Sequence, residues 1–390
     1  MQTSTNSDNK NKVKKHNIAM FGHKHIPSRE GGVEIVVEHL AVRMVRMGHK
    51  VTCYNRGGSY VETEDAEFDE DRSRYRGVKI KKAFTINAKG LAAASSSFFA
   101  SLAAGFGKYD VVHIHAEGPC ILCGFLKACD KRVIVTIHGL DHKRAKWGRF
   151  ASWYIMKGEQ AAAKYADEII VLSKPVQDYF MELYGRRTTF IPNGVEEARQ
   201  LSPDIIRTKW GLDKDDYILY LGRIVPEKGI HYLIEAYKGL DTDKKLVIAG
   251  GSSDTDEYYN KIKDMAAGSD SIIFTGFVQG PTLEELFSNA YLYCLPSDLE
   301  GMPLSLLEAM SYGNACLTSD IPECADVISD NGVTFKKGDV KALAKCLSEL
   351  IKDKAAVEAY KAQVATYITE RYNWDDVVSR TLKLYDGNEA

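Results

Sequence analysis

Short apolar runs alternate with longer amphipathic stretches along most of this chain. Residues 16–22 form the first run, which is largely apolar and ends in glycine, as a buried parallel strand does. The stretch from Gly32 to Met47 places its apolar residues at helical spacing and is followed by Gly48, a frequent helix terminator. This alternation of strand and helix predicts an α/β protein with a doubly wound sheet.

The pattern occurs twice, which predicts two sheets in tandem. Further strands of the first series are predicted at residues 50–54, 78–84, 110–115, 132–138, 168–172 and 188–191. The second series has strands predicted at 217–222, 245–249, 272–275, 292–295, 315–318 and 332–335, with helices near 231–237, 283–288 and 305–312. Two such sheets place a ligand cleft between them, at the carboxyl ends of their strands. Neither first strand is followed by a G-x-G-x-x-G fingerprint, which argues against an NAD enzyme.

A break separates the two series. Residues 192–203 begin with Pro-Asn-Gly and continue as a polar run, so we predict a linker there. We expect an N-terminal domain over residues 17–195 and a C-terminal domain over 196–371, in keeping with a length of 390 residues. Residues 1–16 are polar, rich in Lys and Asn, and without the apolar core of a signal peptide. They are predicted to be a disordered leader of a cytoplasmic protein.

Cysteines and uncharged segments change this picture little. Cys120 and Cys123 form a C-x-x-C, but no second pair with zinc-type spacing follows, so buried thiols of a cytosolic protein are expected in preference to a metal or redox site. The uncharged run at residues 90–107 holds four serines and is shorter than the roughly 20 apolar residues that span a membrane. It predicts a helix packed on a sheet, with a membrane-touching helix as the alternative.

Charge is divided unevenly between the two halves, although the net charge is only −2. Residues 1–195 carry 30 Lys and Arg against 20 Asp and Glu, while the remainder carries 21 against 33. A basic N-terminal half indicates an anionic partner, such as a membrane surface or a phosphorylated acceptor. Solvated surface lysines are the alternative interpretation.

Glu300 and Glu308 stand on either side of a predicted junction between a loop and a helix. Pro303 suits a first helical turn, so the helix should begin at Leu304 or Ser305. The unpaired N–H groups of such a turn favour an anionic or polar ligand. Glu308 could accept hydrogen bonds from a ribose diol, and Glu300 could hold sugar hydroxyls. Either glutamate alone would be interpreted as a solvated helix charge.

Two cations follow the first strand of the second series. Arg223 and Lys228 lie five residues apart, between Gly222 and Gly229, and could bind a diphosphate and stabilise charge on a leaving phosphate. The D-x-D strings at residues 241–243 and 254–256 lie in polar connections. We interpret both as loops rather than as metal ligands, so no metal is expected.

Taken together, these segments resemble the retaining glycosyltransferases of family 4 in the GT-B superfamily. Residues 300–310 are similar to the family's paired-glutamate motif, and residues 222–229 to its phosphate-binding segment. Residues 31–34 resemble its glycine-rich turn, residues 135–141 its strand ending in histidine, and residues 191–195 its interdomain segment. Residues 26–34 and 143–147 resemble the rhamnosyltransferase-like subgroup of bacterial capsule and cell-wall polysaccharide synthesis. The chain departs from that subgroup at Val33 and His138, where aromatic and acidic residues are usual.

The resemblance implies two Rossmann-like domains that face each other across a cleft, with residues 372–390 packing back on the N-terminal domain. It implies retaining, metal-independent transfer of a hexose or deoxyhexose from a nucleotide-diphosphate sugar to a saccharide or a polyprenyl-diphosphate-linked acceptor. The implied catalytic residues are Arg223, Lys228, His138 and Glu300. The implied donor-binding residues are Gly32, Gly222, Arg223, Lys228, Glu300, Gly301, Met302, Leu304, Ser305 and Glu308. The implied acceptor-binding residues are Arg29, His115 and Asp141.

Two other functions stay open. A nucleotide-sugar 2-epimerase would share the two-domain shape and act on the donor alone. A scaffold subunit would bind nucleotide sugar without catalysis. We expect no cofactor and no nucleic-acid partner, and we expect the protein in the cytoplasm or peripherally at the inner face of the cell membrane, where an anionic surface could bind it.

Overall fold

The chain folds into two α/β domains, each built on a largely parallel sheet with helices on both faces. A computed structural model describes residues 14–58, 73–88, 90–143, 148–252 and 256–389. The described strands lie in the order β3-β4-β2-β1-β5-β6-β7-β8 in the first sheet and β11-β10-β9-β12-β13-β14 in the second. The predicted fold class, two doubly wound α/β domains of GT-B architecture, is confirmed. The predicted disordered leader lies almost entirely outside the described residues, as does most of the 254–256 string.

The first sheet is built from residues 17–190. Its strands are β1 (Asn17–Phe21), β2 (Lys50–Arg56), β3 (Arg74–Tyr75), β4 (Val78–Ala83), β5 (Val111–His115), β6 (Arg132–Ile137), β7 (Glu168–Val171) and β8 (Thr189–Phe190). Its helices are α1 (Gly32–Arg46), α2 (Leu91–Phe106), α3 (Cys123–Ala128), α4 (Arg149–Tyr165) and α5 (Lys174–Tyr184). The described pairs are parallel except for β3 with β4, which is antiparallel.

The second sheet follows after α6 (Asp204–Trp210). Its strands are β9 (Tyr217–Leu221), β10 (Lys245–Ala249), β11 (Ile272–Gly276), β12 (Leu292–Leu295), β13 (Cys316–Ser319) and β14 (Val333–Phe335). Its helices are α7 (Ile230–Lys238), α8 (Asp256–Ala266), α9 (Gly280–Ser288), α10 (Leu304–Ser311), α11 (Pro322–Ile328), α12 (Val340–Lys352) and α13 (Lys354–Arg371). The chain then ends in α14 (Trp374–Asp386), which packs on the first sheet. The described strand pairs of the second sheet are all parallel, so their carboxyl ends share one edge.

Apolar strand residues fill both faces of the first sheet. Ile18 and Met20 pack under α1 on one face, whereas Ala19 and Phe21 pack under α2 to α5 on the other. Successive strand residues point to opposite faces, so a continuous apolar run is what a doubly covered sheet requires. The helix predicted to start at Gly32 does so, and it ends at Arg46 just before Gly48.

The last helix, α14, returns to the first sheet. Trp374 is buried in the same apolar cluster as α1 and stacks on His39, with ring centroids 4.5 Å apart. At the other end of the helix, the Tyr385 hydroxyl lies 2.7 Å from Nδ1 of buried His113, and Asp386 pairs with His16 at 2.9 Å. The chain passes between the two domains near Val195 and again near Asn373, and an isolated β-bridge joins these two residues.

Several details differ from the sequence analysis or complete it. Strand β3 has only two residues and no periodic pattern, and it was not predicted. The serine-rich run is α2, and within the described residues no helix is long and apolar enough to cross a membrane. Cys120 and Cys123 are buried free thiols, and the Cys120 thiol donates to the Ala116 carbonyl at 3.2 Å. Residues 144–147 of the rhamnosyltransferase-like segment lie outside the described residues.

Candidate active site at the facing sheet edges

The loop after β9 is fixed by backbone contacts. Gly222 N–H donates to the Ala249 carbonyl at 3.0 Å, and a β-carbon on neighbouring Gly250 would lie 1.8 Å from the Gly222 carbonyl oxygen. The buried Tyr220 hydroxyl donates to the carbonyl of Arg223 at 2.9 Å. These contacts hold the Arg223 backbone at the carboxyl end of the strand, where parallel sheets bind ligands.

Lys228 ends a short 3-10 turn that starts at Pro226 and precedes α7. The next residue, Gly229, has φ +65°, and a β-carbon there would lie 2.1 Å from the Pro296 carbonyl oxygen. Glycine is therefore required both for the left-handed backbone and for the close approach to the loop after β12. This approach brings Lys228 to the loop that carries Glu300.

Lys228 and Glu300 form a largely buried ion pair. Lys228 Nζ lies 2.5 Å from Glu300 Oε1, and their side chains are 13% and 8% exposed. The Ser297 hydroxyl donates to the same oxygen at 2.6 Å. Charge-assisted hydrogen bonds of this kind are short and strong, and low exposure limits screening by salt. The pair provides a cation and an acceptor together in one pocket.

Glu308 lies on α10, which begins at Leu304 after Pro303, as the sequence predicted. Its side chain is half-buried. Burial raises the pKa of the Glu308 carboxyl, while the positive charge of Arg29 opposes that rise. Ser305 in the first turn accepts a 2.8 Å hydrogen bond from the Tyr293 hydroxyl, which fixes the start of the helix. Arg29, expected at the acceptor, thus lies close enough for its charge to act on the Glu308 carboxyl.

The two domains contact each other through residues predicted to bind donor or acceptor. A β-carbon on Gly301 would lie 1.6 Å from the carbonyl oxygen of His138, so these two loops touch backbone to backbone. A β-carbon on exposed Gly32 would lie 3.4 Å from Leu304 Cδ1, and Leu304 packs against apolar clusters of both sheets. The Asn193 N–H donates to the Met302 sulfur at 3.0 Å. The interdomain segment therefore holds the glutamate-bearing loop directly.

Three histidines lie near the carboxyl ends of β5 and β6: His113 and His115 within β5, and His138 directly after β6. His138 Nε2 lies 3.1 Å from Nδ1 of His115, and the His113 and His115 rings lie 4.2 Å apart. Burial lowers the pKa of His113 to about 3, and the pKa of His115 well below its usual value. Both buried rings are neutral at physiological pH, so His138 rests against an uncharged partner rather than an imidazolium.

A small pocket gathers part of the predicted site. Its lining combines cations, carboxylates and backbone from both sheets: Gly139, Leu140, Arg223, Glu227, Lys228, Leu299, Glu300 and Gly301. Of the predicted residues, Arg223, Lys228, Glu300 and Gly301 meet there. Met302 lies in the loop just before α10, and Leu304, Ser305 and Glu308 lie on that helix. His138 precedes the lining residue Gly139. Asp141 lies farther along that loop, where its N–H donates to Glu117 Oε1 at 3.0 Å.

Sequence analysis missed several residues that shape this site. Ser297 orients Glu300, and its own carbonyl accepts a 2.5 Å hydrogen bond from Ser319. Buried Glu34, within the recognised glycine-rich segment, accepts the Lys24 N–H at 2.8 Å and thereby fixes the loop before α1. No local pattern marks either role, because each depends on a contact between separate segments of the chain.

Comparison with known proteins agrees with this geometry. Residues 30–199 match the family model described as Glycosyltransferase Family 4, and residues 203–370 match Glycosyl transferases group 1. An uncharacterized glycosyltransferase of Methanocaldococcus jannaschii is 25% identical over 391 residues, covering 94% of this chain and 97% of the relative.

Solved structures show the same fold. Sucrose-phosphate synthase from Thermosynechococcus elongatus superimposes with a TM-score of 0.79 at 20% identity, covering 96% of this chain and 99% of the other. HepE of Anabaena, in complex with UDP-glucose, has a TM-score of 0.76 at 16% identity, with 95% and 100% coverage.

The facing sheet edges, with cations and carboxylates between them, have the arrangement of the two-domain GT-B fold. The chain is a glycosyltransferase of the GT-B type, in which a family 4 domain precedes a group 1 domain.

The backbone contact between the two sheets can be tested by Gly301→Ala. The new methyl group would overlap the His138 carbonyl oxygen, so we expect destabilisation of about 1–3 kcal/mol, measured as a shift in the denaturant midpoint. Gly239→Ala is the matched control, because its β-carbon would lie at an ordinary contact distance, 3.6 Å, from the Ala236 carbonyl oxygen. Equal midpoints for the two variants would show that the sheets do not meet at Gly301.

Proposed function

We propose that this protein is a retaining, metal-independent glycosyltransferase that moves a hexose or deoxyhexose from a nucleotide-diphosphate sugar to a saccharide or lipid-linked saccharide. We assign it to bacterial surface polysaccharide synthesis, on the resemblance described above. The observation that carries the proposal is the buried Lys228–Glu300 pair, which shares one pocket with Arg223 at the carboxyl end of β9.

The donor would lie along the second sheet. Arg223 and Lys228 would bind the diphosphate and stabilise its charge as the glycosidic bond breaks, a task that other glycosyltransferases give to a divalent metal. Glu300 would accept hydrogen bonds from sugar hydroxyls once Lys228 turns to the phosphate. Glu308 would bind the ribose diol, and the first N–H groups of α10 would face the sugar. Gly32 would let the backbone of the first sheet approach the diphosphate.

The acceptor would lie against the first sheet. His138, supported by neutral His115, would contact the transferred sugar or the acceptor hydroxyl, and Asp141 would stand farther along the same loop. In the transfer step, the bond from the anomeric carbon to the leaving phosphate oxygen breaks. A bond to the acceptor oxygen forms on the same face, and the acceptor proton passes to the leaving phosphate. This route needs no covalent nucleophile from the protein.

Two findings support a nucleotide-sugar donor. HepE, which shares the fold, binds UDP-glucose in its crystal structure. In this chain, Arg223 and Lys228 line one pocket and could together neutralise a diphosphate. A few contacts in the cleft determine which base and which sugar of the donor are accepted, so a panel of donors is the way to identify them.

Product analysis tests the proposal against its rivals. Donors are incubated alone and with saccharide or polyprenyl-diphosphate-saccharide acceptors, in the presence of a chelator. We expect a glycoside only when acceptor is present, with the donor's anomeric configuration in its NMR spectrum. Epimer formed from donor alone would instead indicate a 2-epimerase, and nucleotide binding without product would indicate a scaffold.

The role of Glu300 can be separated from donor binding in the same assay. Glu300→Gln keeps a hydrogen-bonding side chain but removes the charge, so we expect kcat to fall by at least about tenfold with donor still bound. Glu349→Gln, at an exposed position, is the control and should behave as wild type. Unchanged kcat in Glu300→Gln would contradict the assignment.

A lipid-linked acceptor would place the first domain at a membrane. The surface of this domain has features that would favour a membrane with anionic lipids. Phe84, Phe98 and Phe99 are 63%, 46% and 40% exposed, and their rings contact one another. Exposed Lys79 and Lys82 lie on β4, just before Phe84. Adjacent aromatic and basic side chains are typical of surfaces that bind anionic lipid headgroups and insert shallowly. We therefore include an anionic membrane among the partners.

Flotation with vesicles tests this surface. We expect binding to vesicles containing phosphatidylserine that weakens with salt, and that Phe98→Ser/Phe99→Ser reduces several-fold. Phe277→Ser is the control, since Phe277 is 42% exposed on the other domain. Equal binding to neutral and anionic vesicles would refute the electrostatic part of the proposal.

A further inference from the structure

A cluster of two carboxylates and an imidazole lies behind the loop that carries His138. Glu117 follows β5, His142 lies in the 3-10 turn at Asp141–Lys143, and Glu159 lies on α4. One ligand atom from each of the three lies within 4.8 Å of the other two, a grouping that can hold a metal ion. The three residues come from separate segments, so no sequence motif marks them.

Both carboxylates are completely buried. Glu117 and Glu159 are 0% exposed, and the ring of His142 is only 14% exposed. Glu117 and Glu159 thus face each other inside the protein, and a further acidic residue, Asp141, lies beside Glu117. Two buried carboxylates side by side are costly unless something positive lies between them.

In each carboxylate of the cluster, one oxygen accepts hydrogen bonds and the other oxygen accepts none from the part of the chain that the structure describes. Glu117 Oε1 accepts the Asp141 N–H at 3.0 Å, while Oε2 has no hydrogen-bond partner among the described residues. Glu159 Oε1 accepts hydroxyl hydrogen bonds from Tyr179 at 2.8 Å and Tyr184 at 2.5 Å. Glu159 Oε2 makes no such hydrogen bond and lies 3.3 Å from His142 Nδ1.

This pattern is typical of a metal centre. Outer groups that hold one carboxylate oxygen orient the other towards the ion. Two carboxylate oxygens and one imidazole nitrogen suit zinc and related divalent transition metals, whereas calcium and magnesium favour oxygen ligands throughout. The chemistry of the donor set therefore favours the zinc class.

We propose that Glu117, His142 and Glu159 bind one divalent transition-metal ion of the zinc class. The ion would fasten the loop after β6 to α4. Because that loop passes from His138 and Gly139 at the cleft to His142 at the cluster, the ion would support the cleft wall without contacting donor or acceptor. The proposal does not rest on the proposed transferase mechanism, which assigns no role to a metal.

The rival explanation is a proton shared by the two carboxylates. A shared proton would also reduce the charge, but it would make the cluster insensitive to metals. If a shared proton is the explanation, neither the wild type nor a variant with one carboxylate replaced by an amide should bind a metal ion.

Metal titration of the tag-free, chelator-treated protein tests the site. By calorimetry we expect wild type to bind one equivalent of Zn²⁺ and to gain thermal stability from it. Glu117→Gln and Glu159→Gln should each weaken binding by at least about a hundredfold, because each removes a direct ligand. Glu285→Gln is the control: it is another buried glutamate, whose carboxylate accepts the Ile205 and Ile206 N–H groups in the second domain. It should bind Zn²⁺ as wild type does.

X-ray absorption of the zinc-loaded wild type provides a readout that does not depend on the variants folding. We expect nitrogen and oxygen ligands at about 2.0–2.2 Å with one imidazole, and no sulfur at about 2.3 Å. Failure of wild type to bind a stoichiometric ion would overturn the proposal, as would unchanged binding in folded Glu117→Gln. A zinc–sulfur distance would also overturn it, because the ion would then sit on a thiol such as nearby Cys120.

Discussion

The two sheets of this protein meet where backbone faces backbone, at Gly301 and the carbonyl oxygen of His138. This contact needs the absence of a side chain at Gly301, and it fixes how far apart the facing strand ends can lie. On one side, the Gly301 loop carries Glu300 and leads into α10. On the other, the His138 loop follows β6 and continues to Asp141. The absence of a side chain at Gly301 therefore sets how closely these two loops approach each other at this point of the cleft.

Within that cleft, the Lys228–Glu300 pair shows how the site can be stable without substrate. Each group alone would be an unpaired charge in a largely buried pocket, which is costly. Paired, they neutralise each other, and Ser297 satisfies the glutamate further. When a donor binds, its diphosphate would replace Glu300 as the partner of Lys228. The sugar hydroxyls would replace Lys228 as the partner of Glu300. In the proposed mechanism, the two side chains would therefore exchange one partner for another on binding, and no unpaired charge would be created.

The site could be predicted from the sequence where its residues are local to a strand end or a helix start. Arg223 follows a recognisable buried strand, and Pro303 marks the first turn of the helix that carries Glu308. Their placement depends on short-range rules of chain geometry, so a single sequence suffices. The α/β architecture was equally predictable, because continuous apolar strands alternate with amphipathic helices.

Other features depend on contacts that no local pattern contains. Nothing near Gly301 in the sequence indicates a carbonyl oxygen from a residue more than 160 positions earlier. Glu117 and Glu159 likewise read as ordinary polar residues until the fold brings them together with His142. Arg29 was expected at the acceptor from resemblance alone, and its electrostatic link to Glu308 emerges only when the two sheets face each other.

The central claim is that the pocket at Arg223 and Lys228 exists to hold a diphosphate. Titration calorimetry of wild type with nucleoside diphosphates, and with the monophosphates of the same bases, tests it directly. The account predicts that one diphosphate binds at least about tenfold more tightly than its monophosphate, a difference of about 1.4 kcal/mol, and that Arg223→Ala/Lys228→Ala abolishes this preference. A preference that survives in the folded double variant, or no preference for any base, would contradict it.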